Sequence, residues 1–207
     1  MKFNKTISFT FFAAAIIYLS FPLNVFACAC CAEPGAYSIS VKKPEKFELD
    51  ELRKIRFGTA NLFMTAAGED NIKGISPLGE NYSLNGLFQS SAWKLNLKDE
   101  KGKIGTLILP MPSSAVAFAA DIHDGKEGGA GGPLLYKEWR FKYKVQSGTG
   151  IFQTGIAPAT EYFLVFQGRG NVCTQAEDFT HWRLEVTGRK ANYAFYGELS
   201  SGKAIIN

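Results

Sequence analysis

The sequence predicts an all-β domain: an antiparallel up-and-down barrel or a two-sheet sandwich of about 8–10 strands, with little helix. Three observations predict it. Aromatic residues make up 14% of the 207-residue chain, including 17 Phe, 8 Tyr and 3 Trp, and rings and β-branched side chains favour strands. Apolar residues recur with period two in segment after segment. Turn-forming residues, many of them among the 21 Gly, separate these segments at hairpin spacing. A composition 46% hydrophobic and 20% charged is that of a globular domain and excludes a disordered chain.

The first 27 residues read as a secretory signal. Lys2 and Lys5 give a positive start, and an apolar run extends from Ile7 to Val25 with Pro22 near its end. Val25-Phe26-Ala27 then supplies a cleavage site. The expected product is an exported, periplasmic or secreted protein with a tail over 28–46 and one β domain over 47–207. Cleavage removes two of the 23 basic residues, against 19 acidic ones. The remainder is near balance, which argues against nucleic acid or an anionic surface as partner. No later run approaches the ~20 apolar residues of a spanning helix.

Cys28, Cys30, Cys31 and Cys173 all follow the cleavage site. An even count in an exported chain points first to disulfides. A Cys30–Cys31 ring fits disulfide geometry poorly, so Cys173 is expected to pair with one of the other three. Such a bridge would stabilise the fold by roughly 3–5 kcal/mol on the entropy model. Two further readings stay open. Val25-Phe26-Ala27-Cys28 resembles a lipobox imperfectly, and an acylated Cys28 would anchor the chain to a membrane. The four thiols would also suit a soft metal, although Cys-x-Cys-Cys departs from zinc spacing.

Along the mature chain, Pro34-Gly35 marks a turn and Tyr37–Val41 a short edge strand. Leu49, Leu52 and Ile55 fall at helical spacing, so Phe47–Ile55 predicts a helical turn. Arg56–Thr65 reads as a strand, followed by Tyr82–Gln89 and by Trp93–Lys98, where Trp93, Leu95 and Leu97 alternate with Lys94, Asn96 and Lys98. Asp99-Glu-Lys-Gly102 predicts a hairpin turn into Lys103–Leu109, which Pro110 and Pro112 end. Ala115–Ile122 is a strand of small residues. His123–Pro133, with Gly125, Gly128, Gly129, Gly131 and Gly132, reads as a rim loop and lacks the Gly-Lys-Ser/Thr ending of a phosphate loop. Trp139, Phe141, Tyr143 and Val145 alternate with Arg140, Lys142 and Lys144. Thr149–Ile156 continues after a turn. Glu161–Gln167 is apolar on both sides and should be central. Gly168–Asp178 is a loop, Trp182–Thr187 a strand, and Ala191–Leu199 the last strand, after a Gly188-Arg-Lys turn. Hairpin connection in sequence favours a barrel of lipocalin-like shape, and that is a likeness of architecture only.

Inward-pointing rings are expected at Trp139, Phe141, Tyr143, Phe163, Phe166, Trp182, Tyr193 and Phe195. Of these, Trp139, Phe141, Tyr143, Trp182 and Phe195 are the candidate lining of an apolar ligand cavity. The expected function is therefore non-enzymatic binding of a small apolar ligand or of a partner protein in the cell envelope, without a cofactor. The alternative is a metal-handling protein or metal-dependent hydrolase. Asp121, His123 and His181, with Glu177 or Asp178, would then form a His/carboxylate site, or the cysteines would hold the metal. The plainer reading of Asp121 and His123 is a strand end entering a loop. Ser91-Ala-Trp-Lys94 spells Ser-x-x-Lys without companion motifs, and no Gly-x-Ser-x-Gly elbow is present.

Overall fold

The structure, a computed structural model, describes residues 35–63, 72–76, 78–123, 134–170 and 174–201. Its strands are β1 (Tyr37–Lys42), β2 (Ile55–Phe57), β3 (Ala60–Phe63), β4 (Asn81–Gln89), β5 (Ala92–Asp99), β6 (Ile104–Pro110), β7 (Ala115–Ala120), β8 (Leu135–Lys144), β9 (Ser147–Gly150), β10 (Glu161–Gly170), β11 (Phe179–Thr187) and β12 (Asn192–Ser201). One helix, α1 (Lys46–Lys54), follows β1. The all-β expectation holds: all twelve strands belong to one antiparallel sheet. Its order is β1-β7-β8-β10-β11-β12-β3-β4-β5-β6-β9, with β2 paired to β12. β10 lies well inside that order, between β8 and β11, as its two apolar faces predict.

The strand count exceeds the expectation because long strands break. The segment expected at Arg56–Thr65 divides at Gly58–Thr59, where Gly58 N–H donates to Glu198 O at 2.9 Å. Residues 64 and 65 lie outside the described residues. Thr149–Ile156 is strand only to Gly150 and then turns through a 3-10 segment, Gln153–Gly155. β8 and β9 are separated by Val145 and Gln146 alone. Val145 N–H donates to Thr160 O and Gln146 N–H to Ile108 O, each at 2.9 Å, so this link bonds to both flanking elements.

Local chemistry explains the elements. α1 is a full nine-residue helix, longer than the single turn its spacing suggested. A capping box starts it, with Glu45 N–H donating to Glu48 Oε2 at 2.9 Å, and Arg53 and Lys54 suit its last turn. Leu52 is buried beneath it. In the β5–β6 hairpin, Asp99 Oδ1 accepts from the N–H of Lys101 (2.9 Å) and Lys103 (2.7 Å), and Gly102 takes φ +82°.

Inward residues pack ring against ring. Trp93 of β5 meets Phe141 of β8 and Phe166 of β10 at centroid distances of 4.8 and 6.2 Å. Phe57 meets Phe166 and Trp182 at 5.8 and 5.2 Å. Phe195 meets Tyr82 and Phe152 at 5.3 and 6.2 Å. Among the described residues, no helix is long and apolar enough to cross a membrane.

Candidate functional site

A pocket of about 320 Å³ opens beside the β1-β7-β8 end of the sheet. Register explains why space is left there. Ser38 stands opposite Ala119, and Ser40 opposite Ala117. Ala119 in turn stands opposite Lys137, and Ala117 opposite Trp139. Directly opposed residues share a face, so Ser38, Ser40, Ala117 and Ala119 form a floor of small side chains. Phe47 and Glu48 of α1, Thr174, and Phe179 of β11 form the facing wall.

Two ion pairs lie at its edge. Lys137 Nζ donates to Asp178 Oδ2 at 2.6 Å, and both side chains are buried. The same ammonium sits 6.0 Å from the Phe179 ring centroid. Lys42 Nζ lies 3.3 Å from Glu48 Oε1, whose side chain is also buried. Burial pulls the Lys42 ammonium pKa down, but Glu48 and Glu45 reverse this and hold it above the ordinary lysine value. Asp178 is positioned by the 3-10 turn Ala176–Asp178. Ala176 N–H donates to Glu51 Oε2 of α1 at 2.8 Å. Gly170 of β10 is required by this approach: a Cβ there would lie 2.1 Å from Asp178 Cγ. The charged groups at the edge of the pocket are thus paired with one another within the protein.

The other face of β8 carries a polar cluster. Tyr136 Oη donates to Glu138 Oε1 at 2.5 Å, and Gln167 Nε2 donates to both, each at 3.1 Å. Burial, and then the neighbouring Glu138 carboxylate, push the Tyr136 hydroxyl up to about 12. Burial alone would raise Glu138, but bonds from Tyr136, Gln167 and Arg140 bring it below the usual carboxylate range. Because the folded pKa of Tyr136 is raised, its stabilisation is present below pH 10 and lost as pH climbs towards 12. Burial also raises the hydroxyls of Tyr82, Tyr162 and Tyr193, so absorbance titration at about 295 nm, where tyrosinate absorbs, is expected to show one late-ionising tyrosine fewer in Tyr136→Phe than in the parent, lost from the step near pH 12. An undiminished amplitude near pH 12 in the variant would contradict the assignment.

The five rings expected to line a cavity fall differently. Trp139, Phe141, Trp182 and Phe195 are buried, and each packs against another ring of the core: Trp139 and Phe141 lie 5.1 Å apart, Trp182 meets Phe57, and Tyr193 meets Phe195 at 5.8 Å. Of the five, only Trp139 also borders the pocket. Tyr143 corrects the inward expectation, being 49% exposed: it shares the parity of Phe141 but sits at the end of β8, past the packed interior. Phe163 and Phe166, both expected inward, differ by an odd number of residues and take opposite faces. Phe166 is buried, whereas Phe163 is half-buried.

The structure does not bring the expected metal set together. Asp121 Oδ1 accepts the His123 backbone N–H at 2.8 Å, so the carboxylate closes a local turn, with His123 at φ +49° and its side chain exposed. His181 is exposed on β11, with Nδ1 2.8 Å from Thr180 Oγ1. β8 and β10 stand between β7 and β11, about 14 Å at the usual strand spacing. Glu177 is exposed, and Asp178 is taken by Lys137. Among the described residues no group of three or more His, Cys, Asp or Glu could hold a metal ion. Cys28, Cys30, Cys31, Cys173 and residues 124–133 of the glycine-rich loop lie outside the described residues. Ser91 occupies the β4–β5 turn and Lys94 is an exposed strand residue.

Sequence reasoning missed Lys137 and the small-residue floor. The signal for Lys137 was its parity: it occupies the inward register of Leu135, Trp139 and Phe141. The fold and pocket define an all-β protein with a lateral, apolar-walled cavity. Comparison takes the identification no further: no protein-family model matches the chain, nor does any curated protein or solved structure.

Proposed function

We propose that this is an exported, non-enzymatic β-barrel protein that binds a small amphipathic molecule in the pocket between β1, β7, β8 and α1. The observation that carries the reading is the floor of Ser38, Ser40, Ala117 and Ala119 under walls of Phe47, Phe179 and Trp139. A volume of about 320 Å³ suits a small ligand. Its apolar body would lie on the alanines and rings, and its polar end would meet the serine hydroxyls. The barrel reading rests on the Val145–Gln146 link, which carries pairing from β10 through β8 and β9 to β6, while β3 joins β12 to β4. Export rests on the signal pattern of residues 1–27. A bridge from Cys173 to one of the N-terminal cysteines is favoured because Thr174, next to Cys173, borders the same pocket as Ser38 of the 28–46 tail.

An apolar naphthylamine fluorophore is expected to bind saturably, with a Kd on the order of 10 μM. Ala119→Leu fills the floor and is expected to weaken binding at least about tenfold, a loss of about 1.4 kcal/mol, without lowering the melting temperature. Absence of saturable binding, or an unaffected Ala119→Leu variant, refutes the reading. Intact mass with and without reductant checks the cysteines: each bridge takes up two hydrogens on reduction, and an acylated Cys28 adds the mass of its chains.

A further inference from the structure

β1 ends the sheet, and it ends it openly. All six of its residues are exposed. Ser38, Ser40 and Lys42 face the pocket, so Tyr37, Ile39 and Val41 lie on the outer face, 71%, 59% and 65% exposed. Phe118 of β7, opposite Ile39, extends this apolar surface inward, with its ring 6.4 Å from Tyr37 and under the Arg140 guanidinium at 5.2 Å.

The backbone at the open edge is also unpaired among the described residues. Asp121 N–H donates to Ala36 O, so even-numbered residues of this strand aim their backbone groups at β7. By the antiparallel alternation, the N–H and C=O groups of Tyr37, Ile39 and Val41 point outward from the edge. A six-residue edge with outward donors, acceptors and an apolar stripe is a template for another strand.

We propose that β1 pairs antiparallel with β1 of a second copy, about a two-fold axis at Ile39. The strand is complementary to itself in this register and in few others. Only pairings that match odd residues with odd residues let the outward backbone groups bond one another. With Ile39 facing Ile39 of the second copy, Tyr37 faces Val41 of the second copy, and all three outward pairs form on one continuous apolar face. Charge selects the same arrangement. Lys42 and Lys43 sit at one end of the strand and nothing charged sits in its middle. Antiparallel pairing sends the two lysine ends about 20 Å apart, opposite Ala36 and Gly35, whereas parallel pairing would stack lysine on lysine. The two copies would then share a ribbon of β7, β1 and their symmetry mates, with the isologous contact usual for a homodimer.

Light scattering and sedimentation of the mature chain over a concentration series, in the presence of reductant, test this. A dimer that dissociates reversibly in the micromolar range is expected. Tyr37→Glu alone and Val41→Lys alone are each expected to raise the dissociation constant at least about tenfold. The double variant is expected to recover much of the loss, because the two substituted positions face each other across the axis. Both substitutions lie on exposed positions facing away from the pocket, so melting temperature and fluorophore binding should hold. A chain that stays monomeric in reductant, a dimer indifferent to both single variants, or a double variant weaker than either single one overturns the proposal. Coverage of this edge by residues preceding Gly35, or by a foreign strand, would appear as the first of these outcomes.

Discussion

Lys137→Met is expected to lower the unfolding free energy by about 3–4 kcal/mol. The ammonium and the Asp178 carboxylate meet at 2.6 Å, and Lys137 is only 5% exposed. Methionine keeps the length and apolar character of the stem, so packing along Trp139 and Phe179 survives. What changes is that the buried Asp178 carboxylate, beside Phe179 and Gly170, loses its cationic partner. Isolated charge in such a place is far costlier than the net worth of the pair. Asp178→Asn is expected to cost less, because the amide oxygen still accepts from Lys137. Replacing both groups with apolar ones (Lys137→Met with Asp178→Leu) should recover much of the loss if Leu fits beside Gly170. Urea unfolding of the variants gives the comparison. Equal stability of Lys137→Met and the parent would mean that the pair is wetter than its geometry shows.

That pair marks the boundary of what was legible in the sequence. Much that is set by neighbours along the chain was readable, although the Glu45–Glu48 capping box that lengthens α1 was not read. The Asp99–Gly102 turn follows from an aspartate that caps its own loop and a glycine in the left-handed region. The alternation of Trp93, Leu95 and Leu97 follows from the two-residue period of a strand with one wet face. Strand breaks were not readable, because Gly58 is held by Glu198 on a strand far along the chain. Nor was the pocket. Ser38 and Ala119 are ordinary side chains in sequence, and they make a floor only because β1 pairs with β7 and β7 with β8. Strand order is a tertiary property, so small residues that read only as two short strands became the floor of the pocket. The rings, which carry the strongest signal in the sequence, became the core.

Phe166→Ala carries this distinction to its sharpest test and has the other large expected effect: a loss of about 3–5 kcal/mol. Phe166 is fully buried on β10 and touches rings from four other places: Phe57 at 5.8 Å, Trp93 at 6.2 Å, Phe141 at 5.8 Å and Phe179 at 6.2 Å. Phe57 is itself wedged against Trp182, Phe141 and Phe179 against Trp139, and Trp93 against Phe88, so none can swing inward to refill the space without losing contacts of its own. The deletion should leave a dry apolar cavity, and such cavities bind benzene or xenon. Tyr143→Ala, at a ring of the same alternating pattern but half exposed at the end of β8, should cost under about 1 kcal/mol. The parent protein should show no benzene binding inside the ring cluster, and Phe166→Ala should regain part of its lost melting temperature when benzene is added. Stabilisation of the parent by benzene, undiminished in Ala119→Leu, would instead mean that the interior is hollow and that the rings themselves line the ligand site.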